Sequence, residues 1–514
     1  MKKYLFLPAL FISTIIYAQI PEDALRYSFF PQNGTARSLA IGGAMGSLGG
    51  DINAIFVNPA GLGNYKTGEF VFTPGFFMNN NKTNFRDTQN KNKKNNFGLG
   101  PIGFVYGYNT NSTSSQAVSI AITQTANYNN SVQYNGLNNY SSYSQVWADQ
   151  FFNSGQTIED ALNNSSFAYG TAPALYTYLV DTFRNTSGDL QVRSLPENIL
   201  DAHQALRQQN TIDTKGAQYE IAIGYAMNKN DKFQFGFSVG IPIMHYHNIT
   251  TFKESDTSSN TANGFESFTY TDDYTTSGAG LNAKLGIIYK PTEHVRLGLA
   301  IHTPTYMISL KDKRTSNLVA NTENYEGKRE ASSLIFTNDQ PGESKYSMLT
   351  PLKVIISGSW VFSSIENVKK QKGFITADIE YVDHKGSNFY SANETPTDDE
   401  KLYFKSLNSV IKEEYKGNFN FRLGGEMKFN TLMARLGFAY YTNPYKDSEL
   451  KASRTLLSGG LGYRNKGFFI DLTYVYSINK DINFPYRLDA PLANTFASIN
   501  DQRGNIIASV GFKF

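Results

Sequence analysis

From residue 66 onward the chain alternates apolar and polar positions in runs about as long as a membrane-crossing strand. Phe419, Phe421, Leu423, Gly425, Met427 and Phe429 oppose Asn420, Arg422, Gly424, Glu426 and Lys428. Phe468, Ile470, Leu472, Tyr474 and Tyr476 oppose Asp471, Thr473 and Ser477. Ile375, Ala377, Ile379 and Tyr381 oppose Thr376, Asp378 and Glu380. Period two places alternate side chains on opposite faces of a strand, so each run has one apolar and one polar face. The apolar face is rich in large aromatics and the other repeatedly carries charge, which suits lipid outside and a polar lumen inside. On this reading Leu472 meets lipid, and Thr473 faces a lumen that tolerates charge. The last run, Ile506, Ala508, Val510, Phe512 and Phe514, ends on an aromatic, as expected of a strand that pairs with the first and leaves no edge.

The pattern predicts fourteen strands, at 66–78, 97–109, 115–129, 217–228, 231–250, 277–290, 293–308, 346–362, 373–386, 416–428, 431–442, 454–465, 467–479 and 504–514. Connections alternate long and short, as extracellular loops and periplasmic turns do. The expected fold is an all-β, 14-stranded antiparallel transmembrane β-barrel over residues 66–514, with both chain ends periplasmic. Loop 130–216 is long enough to hold structure. Thr157 to Asp160 resembles a capping box, Pro173 can open a helix through Leu175, Leu179 and Phe183, and Pro196 can open another through Ile199, Ala202 and Leu206. Residues 130–145 alternatively read as a disordered Asn/Ser-rich loop.

Composition agrees. Tyr 33, Phe 37 and Gly 42 bring aromatics to 14%, and a mean hydropathy of −0.38 suits a barrel whose lumen and loops are wet. Cys 0 excludes disulfides, thiolate metal sites and cysteine nucleophiles, and a net charge of +3 gives no case for nucleic acid. The chain opens with Met1-Lys2-Lys3, an apolar run to Ile16, and Ala18 before Gln19. This predicts a signal peptide over residues 1–18.

Residues 19–65 precede the first strand and are read as a plug. Gly42, Gly43, Gly46, Gly49 and Gly50 allow close backbone approach, and Asn58-Pro59-Ala60-Gly61 follows. This Gly-rich segment and its Asn58-Pro59-Ala60 resemble the FadL/TodX family of outer-membrane transporters for hydrophobic compounds. Arg296-Leu-Gly-Leu-Ala-Ile-His-Thr-Pro304 and Gly373-Phe-Ile-Thr-Ala-Asp-Ile-Glu-Tyr381 are similar to the family's barrel strands, whereas 130–216, 311–345 and 387–415 lie outside the likeness. The resemblance implies an N-terminal hatch in a fourteen-stranded barrel and passive uptake of long-chain fatty acids or aromatic hydrocarbons by a lateral opening. Gly100-Pro101 and the run Thr123 to Tyr128 are places where the ladder can break or kink.

Other chemistry has weaker support. Gly236-Phe-Ser238-Val-Gly240 has the spacing of a nucleophile elbow, but Ser238 sits mid-strand, not at a strand-to-helix turn. The glycines at 42–50 follow no strand and open no dinucleotide-binding unit. His245 and His247 share a strand face without an evident third metal ligand. No catalytic residue, metal site or cofactor is expected, and the chain is not read as an enzyme. Inward charges of both signs suit a network that seats the plug. The sharper alternative gives Arg37, Arg296, Arg422 or Arg435 a ligand carboxylate.

The expected function is therefore passive uptake of hydrophobic small molecules, fatty acids first, by a monomer in the outer membrane of a Gram-negative bacterium, with lipid as its surroundings and no nucleic-acid partner. The rival is a surface-binding or secretion-associated barrel that captures protein cargo or another hydrophobic ligand such as haem.

Overall fold

The computed structural model describes residues 21–362, 372–488, 492 and 494–514; the expected signal peptide lies outside them. The chain closes into a 14-stranded antiparallel barrel. Several wall strands consist of two segments. They are β1 (Gly68–Phe72 and Pro74–Phe85), β2 (Thr88–Leu99 and Ile102–Asn109), β3 (Ser115–Asn127 and Asn130–Asn138), β4 (Leu206–Lys229), β5 (Phe233–Asp256), β6 (Ser267–Tyr289) and β7 (Val295–His302 and Tyr306–Asn321). The circuit continues through β8 (Gly342–Leu349 and Lys353–Phe362), β9 (Gly373–Asp383 and Asn388–Ser391), β10 (Gly417–Phe429), β11 (Leu432–Tyr441), β12 (Arg454–Asn465), β13 (Phe468–Asn483) and β14 (Ala497–Lys513). β14 closes the barrel onto β1, with Phe512 opposite Phe70 and Ile506 opposite Phe76.

The facing follows the alternation. Leu457, Leu461, Ile470, Leu472, Tyr474 and Phe512 are exposed on the outside. Their in-strand neighbours Asp471, Thr473 and Ser509 are buried inside. The expectation about Thr473 needs correction, however. Its hydroxyl donates to Ala36 O at 2.6 Å, so at this level the lumen holds protein and not water.

Residues 33–64 fill the lower lumen, and residues 21–30 lie above them, with Glu22 paired to Arg487 in the loop between β13 and β14. They form the short helices α1 (Pro21–Arg26), α2 (Ala36–Ala40) and α3 (Ala54–Val57) and a 3-10 turn, Pro59–Asn64. Ile52, Ile55 and Leu62 pack on Val105, Ala117, Ala121 and Ala222 of the wall. Ile41, Met45 and Val57 pack on Ala300, Ile355 and Phe374. Small wall residues admit the plug backbone. A Cβ on Gly437 would sit 2.0 Å from Gly42 N, one on Gly424 2.2 Å from Ile41 O, and one on Gly298 2.2 Å from Gly46 O. Gly42 itself has φ +68, a conformation that disfavours a side chain.

The strands run further outward than the alternation predicts. Asn79 to Asn96 forms the top of a β1–β2 hairpin, where a loop was expected, and the arms of loop 130–216 belong to β3 and β4. These stretches are Asn-, Gln- and Lys-rich because above the lipid both strand faces meet water or polar protein, which erases the alternation. Between the arms lie α4 (Ser144–Ser154), α5 (Ile158–Asn163), α6 (Thr171–Tyr176), a hairpin of Val180–Arg184 with Leu190–Ser194, and α7 (Glu197–Asp201). Thr157 caps α5 by accepting from Asp160 N at 3.1 Å. The helix expected from Pro173 is α6, but it stops before Leu179 and Phe183, where the hairpin takes over. α7 likewise ends before Leu206, the first residue of β4. Tyr143 stacks between Trp147 and Tyr486 in this cap, with ring centroids 4.8 and 5.2 Å away. Loop 387–415 holds α8 (Asp398–Glu414), opened by a capping box of Thr397 and Glu400. Its Phe404, Leu407 and Ile411 pack into the cluster that includes Leu25 and Phe29.

Candidate functional site

The plug motif links plug to wall. Asn58 is extended and its Oδ1 accepts from Ala60 N at 3.1 Å, which starts the 3-10 turn. Pro59 follows at the first turn position, where its missing N–H costs nothing. Asn58 Nδ2 donates to Gly46 O at 2.6 Å and lies 3.3 and 3.4 Å from the wall carbonyls of Ile287 and Leu299. Gly286 leaves the room this needs: a Cβ there would overlap Asn58 Oδ1. Gly61 O accepts from Gly50 N at 3.1 Å, joining the glycine segment to the motif. Gly42, Gly43, Gly49 and Gly50 all have positive φ, and Gly46 lies against Ser357.

Four arginines lie in or around the plug, three of them in ion pairs. Arg422 meets Glu380 at 2.7 Å and Asp378 at 3.8 Å. Arg435 bridges Glu426 and Asp471, both at 2.6 Å. Arg37 reaches Glu426 at 3.5 Å and Gly50 O at 3.1 Å. Arg296 donates to Leu48 O at 2.9 Å. Hydroxyls complete the seat: Ser47 and Ser359 are 2.7 Å apart, and Ser458 donates to Ala40 O at 3.2 Å. Buried charges require such partners. Of the four, Arg422 lines a pocket of about 120 Å³ beside Lys353 and Tyr441.

Above the plug the wall comes apart on one side. The lower segments of β2 and β3 pair from Ile102 opposite Ile122 to Asn109 opposite Ser115. The upper segment of β2 pairs only with β1, and that of β3 only with β4, among the described residues. Side chains bridge the seam instead: Asn90 to Asn135 at 2.7 Å, Asn92 to Ser131 at 2.8 Å, and Lys94 Nζ to Asn130 O and Thr214 O, both at 3.0 Å. Inward-facing Asn79 and Thr83 of β1 donate to Asn129 O and Gln133 O at 2.9 and 2.8 Å, so upper β3 passes behind the β1–β2 hairpin.

The break has local causes. Pro101 has no N–H to give the ladder, and the register of β3 on β4 shifts between Gln124 and Ala126. Leu99, just below the seam, finds side-chain partners. Its N–H donates to Gln124 Oε1 at 3.1 Å, and its carbonyl accepts from Asn33 Nδ2 at 2.9 Å. Asn33 also donates to Gln124 O at 2.7 Å, so the plug's own linker holds the break open.

A cavity of about 590 Å³ lies above the plug and reaches Phe77, Asn96 and Gln124 at this break. Leu25, Phe29, Leu39 and Ile507 give it apolar walls; of the lining arginines Arg26, Arg454, Arg487 and Arg503, half-buried Arg454 is the one without an ion pair among the described residues. Arg454 lies over the Phe29 ring at 4.6 Å, and its Nε has no hydrogen-bond partner. Sequence reasoning missed Asn33 and Arg454; it placed Gln124 in a run where the ladder can kink, but not as the partner of Leu99. Strand parity could have found Arg454, because Leu457 and Leu461 face outward and even positions of β12 therefore face in. Ser238 donates to Ile55 O at 2.8 Å, a plug contact. His245 and His247 separate onto Ser277 at 2.9 Å and Asp273 at 2.8 Å.

No known family profile matches the sequence, and no curated protein is detectably similar to it. Solved structures do match. A FadL homologue of Pseudomonas aeruginosa superposes with TM-score 0.54 at 13% identity, over 95% of this chain and 99% of that one. The toluene transporter TodX of Pseudomonas putida gives TM-score 0.52 at 13% identity, over 94% and 99%. At that identity the likeness is one of architecture: the chain has the FadL-family fold, a plugged 14-stranded barrel of the outer-membrane type.

Proposed function

We propose that the protein passes hydrophobic compounds across the outer membrane, and that long-chain fatty acids are its substrates. The observation that carries this reading is the cavity between plug and loops, which extends to the unpaired β2–β3 seam. Its volume, about 590 Å³, falls within the range of small-molecule sites. An acyl chain would gain about 0.8 kcal/mol for each CH₂ it buries. A seam bridged by side chains opens at lower cost than a hydrogen-bonded ladder, and its foot at Leu99 and Gln124 lies at the level of outward-facing Phe97, where the apolar belt begins. The plug, pinned by wall hydroxyls and ion pairs, stays in place as a floor.

Arg454 would take the carboxylate, since a half-buried guanidinium without an ion pair among the described residues gains most from a charge-assisted hydrogen bond. Arg37, Arg296, Arg422 and Arg435 would hold the plug. Export through a signal peptide of residues 1–18 and action as a monomer belong to the same reading.

The test is extraction of purified protein followed by mass spectrometry of bound lipid, with uptake of a labelled fatty acid by cells at matched surface levels. Stoichiometric fatty acid, reduced in Arg454→Gln, is expected. Uptake no greater than in cells lacking the protein refutes the reading and favours surface binding.

A further inference from the structure

Four lysines stand together on the outside of the barrel, just above its apolar belt. Lys82 on β1 lies directly opposite Lys91 on β2. Lys82 is also opposite Asn500 on β14, which is opposite Lys480 on β13. Lys93 is two residues down β2 from Lys91, on the same face. Adjacent strands are about 5 Å apart, so these ammonium groups share one patch four strands wide.

The patch is unbalanced. Like charges directly opposite on neighbouring strands destabilise the pairing. None of the four lysines has an ion pair or side-chain hydrogen bond among the described residues. The carboxylates next to Lys480 and Asn500 in sequence turn away: Asp481 lines the lumen cavity, and Asp501 is buried against Arg503. Elsewhere on the rim the same problem is solved internally, since Lys311 and Lys313 reach Glu343 at 2.9 and 3.2 Å.

The height of the patch identifies its counter-ion. Phe76 and Phe97 face each other across β1 and β2 with ring centroids 5.1 Å apart, and Tyr474 lies outward on β13. Aromatics at this position mark the membrane interface. Lys93 is four residues above Phe97, about 13 Å along a tilted strand; Lys82, Lys91 and Lys480 are six residues above Phe76, Phe97 and Tyr474, about 20 Å along it, and their long stems reach back down toward the interface. That is headgroup depth. We propose that Lys82, Lys91, Lys93 and Lys480 bind the phosphates of an anionic glycolipid of the outer leaflet, of the lipid A type. The site lies on β2, whose other edge is the open seam, so the bound lipid stands at the lip of the gap. This assignment rests on the barrel's orientation in lipid and is independent of what the lumen carries.

The experiment is native mass spectrometry of the protein in detergent, titrated with purified lipid A. The comparison is a quadruple variant, Lys82→Gln, Lys91→Gln, Lys93→Gln and Lys480→Gln, whose heat-modifiable migration verifies a folded barrel. Wild type is expected to retain lipid A and the variant to bind it about tenfold more weakly or worse. Lys311→Gln with Lys313→Gln should change nothing. Equal binding by wild type and the quadruple variant overturns the proposal. So does equal binding of fully dephosphorylated lipid A, which would mean that the apolar belt alone is read. Inorganic phosphate competing at the affinity of lipid A would overturn the assignment to lipid.

Discussion

Replacing Gly437 by Ala tests whether the plug is seated as tightly as its contacts require. A Cβ there would meet Gly42 N at 2.0 Å, Ile41 C at 2.3 Å and Ser458 Oγ at 2.6 Å. Two of those atoms are backbone of the plug and cannot rotate away. Overpacking of this kind costs about 1–3 kcal/mol. The upper end applies here, because relief requires moving either α2 or strand β11. Gly358→Ala is the control. Gly358 also lies in a wall strand, but no atom lies within 4 Å of its Cβ position. Adding a methyl there should be neutral or slightly stabilising, since Ala restricts the unfolded chain more than Gly does. Reversible urea unfolding in lipid vesicles measures both, and single-channel conductance reports whether the floor leaks. Gly437→Ala should lower stability by about 2 kcal/mol or raise conductance, with Gly358→Ala like wild type. Equal behaviour of the two variants would refute a plug held by close backbone contact.

Leu472→Arg should cost about 2–4 kcal/mol if its level is the membrane midplane, and Thr473→Arg should be at least as harmful because it strikes Ala36; unfolding midpoints in vesicles compare them. Arg435→Leu leaves Glu426 and Asp471 buried without their shared partner and should destabilise by about 3–5 kcal/mol by the same assay. Burial, aided by Glu22 and opposed by Arg487, pushes the Glu414 carboxyl at the C-terminal end of α8 up to about 7. The neutral acid is the form the folded state favours. Its contribution is therefore full below the ordinary carboxylate range, fades as pH rises, and is lost above about 7. Hydrogen exchange of residues 397–415, corrected for intrinsic rates, should accelerate between pH 6 and pH 8 in wild type and stay level in Glu414→Gln.

The barrel was legible because lipid enforces period two. Phe419 to Phe429 and Phe468 to Tyr476 could not alternate otherwise, and their facing holds throughout. Above the lipid that constraint ends, so the hairpin through Lys82 and Lys91 reads as loop although it is ladder. Helix α8 hid for another reason. Its apolar positions Phe404, Leu407 and Ile411 span barely two turns, and an acidic first turn surrounds its cap. The plug glycines and Asn58 were visible as composition, but their partners on six or more wall strands are set by closure of the barrel. The seam was half legible: Pro101 announces a missing donor and the run Thr123 to Tyr128 holds the register shift of β3 on β4, but nothing in the sequence brings Asn33 between them.

The central claim is that hydrophobic cargo leaves sideways through the β2–β3 seam over a stationary plug. The natural chain has no cysteine, so engineered thiols report cleanly. Ser47→Cys with Ser359→Cys would lock plug to wall, where the native hydroxyls are 2.7 Å apart. Asn92→Cys with Ser131→Cys, joined by a short bifunctional maleimide, would lock the seam, where the native side chains meet at 2.8 Å. The measurement is uptake of a labelled long-chain fatty acid by cells carrying each locked protein. The account predicts wild-type uptake with the plug locked and background uptake with the seam locked. Loss of uptake on locking the plug, with the locked seam still passing substrate, would contradict it.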